Sequence, residues 1–292
     1  MIELLPGRRF DEGVVQTLER VSVEAANARS DHSSAFGLLK WATNSEFVLR
    51  PVLPRAEIER LLHTTRYWHV ASAPHTTDII KLATDELDDA KWRWDLELAE
   101  LKTEQEKWAG ASAIIVADTN IFLHQPKRFD EINWYAAARL EPIISAARIV
   151  IPIIVIDELD RIEDVGNRDG TRTRARENLK HLVTVFGDQR PDKPQRLDNP
   201  DGGFGCSIEI LPDPGGPYVR RHRADDEIIR RLEHVRMHTQ RITLVTSDTG
   251  MRFRAQQAGI RTVHLDRPPD PVKSDKSKRP LPSPAPDPDP HS

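Results

Sequence analysis

The spacing of apolar and polar positions changes near residue 110. From Asp11 to about Trp108 apolar residues recur at helical spacing. Val14, Val15, Leu18, Val21 and Ala25 share one face behind Asp11, a good helix cap, and Pro54 suits the opening of a helix carrying Ile58, Leu61 and Leu62. The longest predicted element is a helix from about Asp78 to Trp108, whose Ile79, Ala83, Leu87, Ala90, Trp94, Leu98, Leu101 and Trp108 form one stripe. Ile79, Ala90 and Leu101 repeat at the interval of a straight helix rather than a left-handed supercoil. Such a helix is about 46 Å long at roughly 1.5 Å per residue. Its stripe is expected to pack on the preceding helices, with self-association as the alternative.

Gly110 ends this zone, and strands then alternate with helices. The pattern predicts strands at 113–117, 148–156, 207–211, 241–246 and 261–265, with helical residues around 131–146 and helices near 157–165, 171–187, 225–238 and 249–258. Alternation of this kind predicts an α/β fold, three layers with a central parallel sheet between helices, preceded by an all-helical N-terminal domain. Beyond Pro268, proline alternates with polar residues and cannot bury a core, which predicts a disordered tail. The expected domains are residues 1–110, 111–268 and 269–292.

Acidic residues stand where the predicted apolar strands stop. Asp118 ends AIIVADTN, Glu158 ends IVIPIIVIDELD, Asp248 ends ITLVTSDTG, and Asp225 opens ADDEIIRRL after a long loop. Carboxylates at one sheet rim repel one another and raise each other's pKa unless a cation sits among them. An all-oxygen set favours Mg²⁺ or Mn²⁺ over Zn²⁺ and leaves coordination positions for water and phosphate oxygens, as phosphodiester hydrolysis requires. Helix capping competes as an explanation for the three aspartates; it suits Glu158 poorly. Asp226 is a further candidate ligand beside Asp225, but only one of the two neighbours can point into the cluster.

The stretches ADTNIFLHQPKRFDEI, RIVIPIIVIDELDRIED, ADDEIIRRL and VTSDTGMRFRAQQAGI resemble the PIN-domain nucleases, especially the branches attached to PhoH-like ATPases and found in nonsense-mediated-decay endonucleases. The resemblance covers roughly residues 111–266. It implies that Asp118, Glu158, Asp225 and Asp248 are the catalytic, metal-binding acids of a ribonuclease, steadied by Thr119, Asn120 and Thr246. It also implies cleavage of single-stranded RNA to a 5′-phosphate and a 3′-hydroxyl with Mg²⁺ or Mn²⁺. One departure is the 67-residue separation of Glu158 from Asp225, rich in Gly and Pro from Asp188 to Pro217.

Charge refines this picture. The formal net charge is −4, yet residues 111–270 hold 24 basic and 24 acidic side chains, 21 of the basic ones Arg, while residues 1–110 carry 14 basic against 19 acidic. Arg offers phosphate a bidentate fork, so the second half is the part suited to nucleic acid. Arg172, Arg176 and Lys180 recur every four positions and are the first candidates for RNA contact, with Arg168 and Arg174 nearby. Arg220, Arg221, Arg223, Arg252 and Arg254 are weaker ones, and Phe122 and His124 could stack on a base. The one cysteine, Cys206, excludes an internal disulfide framework and fits a cytoplasmic protein, and neither an apolar leader nor a membrane-spanning run is seen.

Other chemistries fail on particular residues. Asn120 stands where a haloacid-dehalogenase-type phosphatase needs a second aspartate, and neither a Gly-rich phosphate loop nor a nucleophile elbow is present. A scaffolding or binding protein without turnover, and a structure-specific DNA nuclease sharing the metals, remain as alternatives. A protein partner or self-association is expected to involve the N-terminal helices.

Overall fold

Helical periodicity before Gly110 becomes five helices in the computed structural model, which describes residues 2–30, 34–74, 76–165, 170–198, 205–215, 218–239 and 241–266. Arg168 and the tail expected at 269–292 lie outside the described residues. The helices are α1 (Glu12–Arg29), α2 (Ser34–Leu49), α3 (Arg55–Leu62), α4 (Thr65–Ser72) and α5 (Thr77–Ala109). Asp11 caps α1 by accepting the Val14 N–H at 2.9 Å, and Pro54 precedes α3 as expected. The α5 stripe from Ala83 to Leu101 is buried against Leu18, Val21, Leu38 and Trp41, so it packs within the chain. Ile79, at the stripe's start, is only partly buried.

Helices α1 and α2 approach closely at Gly37. A Cβ there would lie 2.7 Å from the Ala28 carbonyl oxygen, a backbone atom that cannot swing aside. Gly37→Ala is therefore expected to destabilise the protein by about 1–3 kcal/mol although alanine favours helix, which urea unfolding would measure. An unchanged midpoint would mean that the two helices do not cross this tightly.

A second core begins at Trp108. Its elements are β1 (Ile114–Ala117), α6 (Thr119–His124), a 3₁₀ turn at Phe129–Glu131, α7 (Trp134–Ala137), β2 (Ala146–Pro152), α8 (Ile153–Val165) and α9 (Thr171–Phe186). There follow β3 (Gln195–Leu197), β4 (Gly205–Leu211), α10 (Ala224–His238), β5 (Ile242–Thr246), α11 (Thr249–Gln257) and β6 (Arg261–His264). The sheet order is β3-β4-β2-β1-β5-β6, parallel except for the antiparallel β3–β4 pair. The chain moves outward through β1, β2 and β4, then crosses back to β5 and β6 on the other side of β1. Right-handed crossovers therefore put α8 and α9 on one face and α10 and α11 on the other.

Two predicted elements change, and one strand is new. The strand expected at 148–156 ends at Pro152, where the ladder with β4 also ends, and Ile153 starts a helix. An unbroken apolar run fits either structure; beyond Pro152, Val155 and Leu159 bury one helical face, so the 3.6-residue period prevails. The helix expected around 131–146 shrinks to α7, because Arg139 adopts a positive φ of 47° that stops it. Strand β3 was not expected; with α9 and β4 it fills much of the long interval between Glu158 and Asp225.

The helices and the sheet are tied at several points. The Phe10 N–H donates to the Met237 carbonyl of α10 at 2.9 Å, and Arg148 of β2 donates to the Lys107 carbonyl of α5 at 2.8 Å. No described helix is long and apolar enough to cross a membrane.

Candidate active site

Parallel strands bring their C-terminal ends to one rim, and β1 and β5 lie side by side where the chain reverses direction across the sheet. Loops at such a reversal point splay apart and leave a crevice. Asp118 follows β1 directly, and Asp248 follows β5 after Ser247. Each also caps the next helix: Asp118 Oδ1 accepts the Ile121 N–H at 3.1 Å and Asp248 Oδ1 the Met251 N–H at 2.7 Å. Capping and ligation are compatible here, because a carboxylate has about four lone-pair sites.

Thr246 links the two acids. Its hydroxyl donates to Asp118 Oδ2, and the same oxygen accepts the Asp248 N–H at 2.9 Å. Asn120 also hydrogen-bonds Asp118, and the Thr119 hydroxyl donates to Glu158. Thr119, Asn120 and Thr246 thus each hydrogen-bond one of these acids. Glu158 reaches Thr119 from the second turn of α8 rather than from a strand end.

Asp118 is 2% exposed. Burial pushes its carboxyl up to about 6, against hydrogen bonds from Thr246, Ile121 and Asn120 that pull it down, and the neighbouring Asp248 charge adds to the rise. Asp225 is half-buried in the first turn of α10, in an ion pair with Arg254 of α11, and Arg223 is 3.7 Å away. Asp226 stands 3.8 Å from the same Arg254. The four acids share the rim, but among the described residues they do not form a group with all ligand atoms within 4.8 Å of one another.

The arginines sort by partner. Arg172, Arg176 and Lys180 lie exposed along α9, opposite buried Ala175, Asn178 and Leu182, and Arg176 pairs with Glu163 at 2.8 Å. Arg220 is held by Asp157 and Asp213, and Arg254 serves the acids instead of facing solvent for phosphate. Phe122 is core, packed 6.0 Å from Phe129, which removes it as a base-stacking residue. Glu227, passed over in the sequence, is fully buried and anchors the entry to α10 by accepting the Tyr218 hydroxyl and the Arg221 N–H. Only the fold reveals it, because it reads as another acid in a helix start.

A family model described as the PIN domain matches residues 115–266, just over half of the chain. The chain belongs to the PIN-domain family. PIN domains are typically metal-dependent nucleases, generally use divalent ions such as Mg²⁺ or Mn²⁺, and bind nucleic acid. The match runs from β1 to just past β6, so it includes Asp118, Glu158, Asp225 and Asp248. Among curated proteins, none matches this chain significantly.

The residues at the rim of this PIN domain suit a hard divalent ion. The donors are all carboxylate oxygens, and Asp118 is a buried acid beside Asp248 whose charge no basic side chain neutralises in its hydrogen-bond set. At Asp225 that neutralising charge is supplied by Arg254.

Proposed function

We propose that this PIN domain is a Mg²⁺- or Mn²⁺-dependent endoribonuclease that cleaves single-stranded RNA, with Asp118, Glu158, Asp225 and Asp248 as its catalytic, metal-binding acids and Asp226 as a possible further ligand. The observation that carries the reading is Asp118, buried at the reversal point of the sheet, raised to about 6 and held between Thr246 and Asn120. A carboxylate kept in place at such a cost in desolvation, with a second carboxylate beside it, suits a cation-binding role. Bound divalent metal would activate water and stabilise the leaving oxygen of the phosphodiester.

The chain's own residues do the rest. Thr246 and Asn120 fix the direction of Asp118, Thr119 fixes Glu158, and the Met251 N–H fixes Asp248. Arg254 holds Asp225 and Asp226 as a stand-in cation and would have to release Asp225 for that acid to hold a metal. The products would carry a 5′-phosphate and a 3′-hydroxyl. In this proposal residues 1–110 are a separate helical domain for a partner or for self-association, the PIN domain spans 111–268, the setting is the cytoplasm, and the chain shares its chemistry with the branches named above.

Purified full-length protein incubated with end-labelled single-stranded RNA, duplex DNA and flap DNA tests the reading. Cleavage of the RNA alone, present with Mn²⁺ and abolished by chelator, is expected. Binding without cleavage would favour the scaffold, and flap cleavage the DNA nuclease. Replacing Arg172 and Arg176 by Ala is expected to weaken RNA binding similarly across sequences and to lower the salt slope by about 1–2, since phosphate contacts do not read bases. Fluorescence anisotropy on an inactive background measures it, and unchanged binding would return both arginines to a plain solvated face.

A further inference from the structure

Helix α10 starts with the acids of the rim and ends against α5, where three side chains meet that the PIN chemistry does not use. Glu104 of α5 and His234 and His238 of α10 each offer one ligand atom, and these atoms all lie within 4.8 Å of one another. The two histidines are one helical turn apart on the same face, with ring centroids at 5.3 Å. Both ring nitrogens of His238 are buried without a hydrogen-bond partner among the described residues, a costly state for two polar atoms unless a ligand takes a lone pair. Phe10 stacks on the same ring at 5.0 Å and closes one side. Glu104 Oε2 accepts the Trp108 indole N–H at 3.0 Å, which orients the carboxylate and leaves it capacity for another partner.

We propose that Glu104, His234 and His238 form a binding site for a borderline transition-metal cation of the Zn²⁺ class, at the seam between the long helix and the PIN domain and separate from the all-oxygen rim. Two imidazole nitrogens and a carboxylate oxygen are donors that Zn²⁺ or Co²⁺ accepts readily and Mg²⁺ does not. Burial lowers His234 to about 3 and His238 to about 4, so both rings are neutral at pH 7 and no proton has to leave before binding. The charged groups acting on the rings include Glu104 itself and the cations Lys107 and Arg231, which are engaged elsewhere. Lys107 is directed to Glu209 at 3.8 Å and to the Trp108 ring at 4.7 Å, and Arg231 donates to the Pro212 carbonyl at 3.0 Å. Donors about 2.0–2.1 Å from a tetrahedral ion stand about 3.3–3.4 Å apart, within the 4.8 Å that bounds these three, and a fourth position is left for water. The ion would pin α10 to α5. Asp225 begins the same helix nine positions before His234, about 13.5 Å away along its axis, and would be held in register by the same clamp.

Chelator-treated full-length protein titrated with Co²⁺ in excess Mg²⁺ tests the site without reference to cleavage. One equivalent of Co²⁺ should give the visible absorption of a tetrahedral site, and one equivalent of Zn²⁺ should abolish it. His234→Gln and Glu104→Gln should each weaken Co²⁺ binding by about 10–100-fold or more, with circular dichroism confirming the fold; Glu104→Gln keeps an acceptor for Trp108 and tests ligation without that contact. Asp118→Asn should leave the Co²⁺ spectrum unchanged, which separates this site from the rim and from the fate of the nuclease reading. Absence of stoichiometric Co²⁺ absorption, or undiminished affinity in folded His234→Gln and Glu104→Gln proteins, would overturn the proposal.

Discussion

Asp118→Asn protein is expected to lose RNA cleavage by roughly 10⁴-fold or more, the scale seen when one member of a cooperating catalytic unit is removed, while melting higher than the parent in chelator at pH 8. The two effects share a cause. The asparagine Oδ1 still accepts the Ile121 N–H, and its amide can donate to the Thr246 oxygen, so cap and orientation survive while the charge is lost. Asp118 titrates near 6 in the folded chain against 3.8 when unperturbed. Between these values the folded state holds a proton that the unfolded state has released, so stability falls as pH rises through this window and the full penalty applies above it. That penalty is on the order of 3 kcal/mol. The melting difference between parent and variant should therefore be small near pH 4 and largest above pH 6. Mg²⁺ or Mn²⁺ should raise the parent's melting temperature and narrow the gap, because metal binds only the folded rim. Adding Asp248→Asn should cost little further activity, since the acids work as one unit. Full cleavage by Asp118→Asn protein would remove the catalytic assignment; a pH-independent melting difference would remove the electrostatic one.

Arg148→Met should destabilise the chain by about 3–5 kcal/mol, the usual result of leaving one partner of a buried ion pair alone. Arg148 reaches Glu209 of the neighbouring strand at 3.4 Å, donates to the Lys107 carbonyl at 2.8 Å and lies over the Trp108 ring. Glu209 is fully buried, and burial raises its carboxyl above the usual range while Lys107 and Arg148 pull it back. Without Arg148 the nearest cation is Lys107 at 3.8 Å, and the carboxyl should rise further. A raised folded pKa disfavours folding once the group ionises, so the loss should be smaller in mild acid than at pH 8. Urea unfolding at both pH values measures this. Pairing Arg148→Met with Glu209→Leu should recover most of the loss, because no charge is then left buried. If the double variant is as unstable as the single one, the damage comes from the lost Lys107 and Trp108 contacts.

Asp118 and Asp248 were readable in the sequence because each follows an apolar run whose period marks a strand, and Asp225 because it opens a helical stretch after a long loop. Asp118 and Asp248 needed only that rule, and their capping bonds are local as well. Glu158 was expected at a strand end and stands instead on α8, where its tie to the first acid runs through Thr119, 39 residues earlier. The partner of Asp225 was visible as a residue and misread in its role. Arg254 belongs to a basic stretch after Asp248, and only the packing of α11 beside α10 turns it toward an acid.

The sequence by itself determined the change of period at Gly110, the cap of α1, the buried stripe of α5, the parallel α/β alternation and the acids of the rim. These depend on the spacing of apolar residues and on caps, interactions within a turn or two of the chain. Tertiary structure alone decided the stop of β2 at Pro152, the antiparallel β3, the Arg254 pairing and the meeting of Glu104 with His234 and His238. The His234–His238 spacing was visible on a predicted helix, but its third member lies 130 residues before His234. A chain pattern records which face a side chain occupies; which distant face it meets is set by how helices pack and strands order, and that is where these contacts arise.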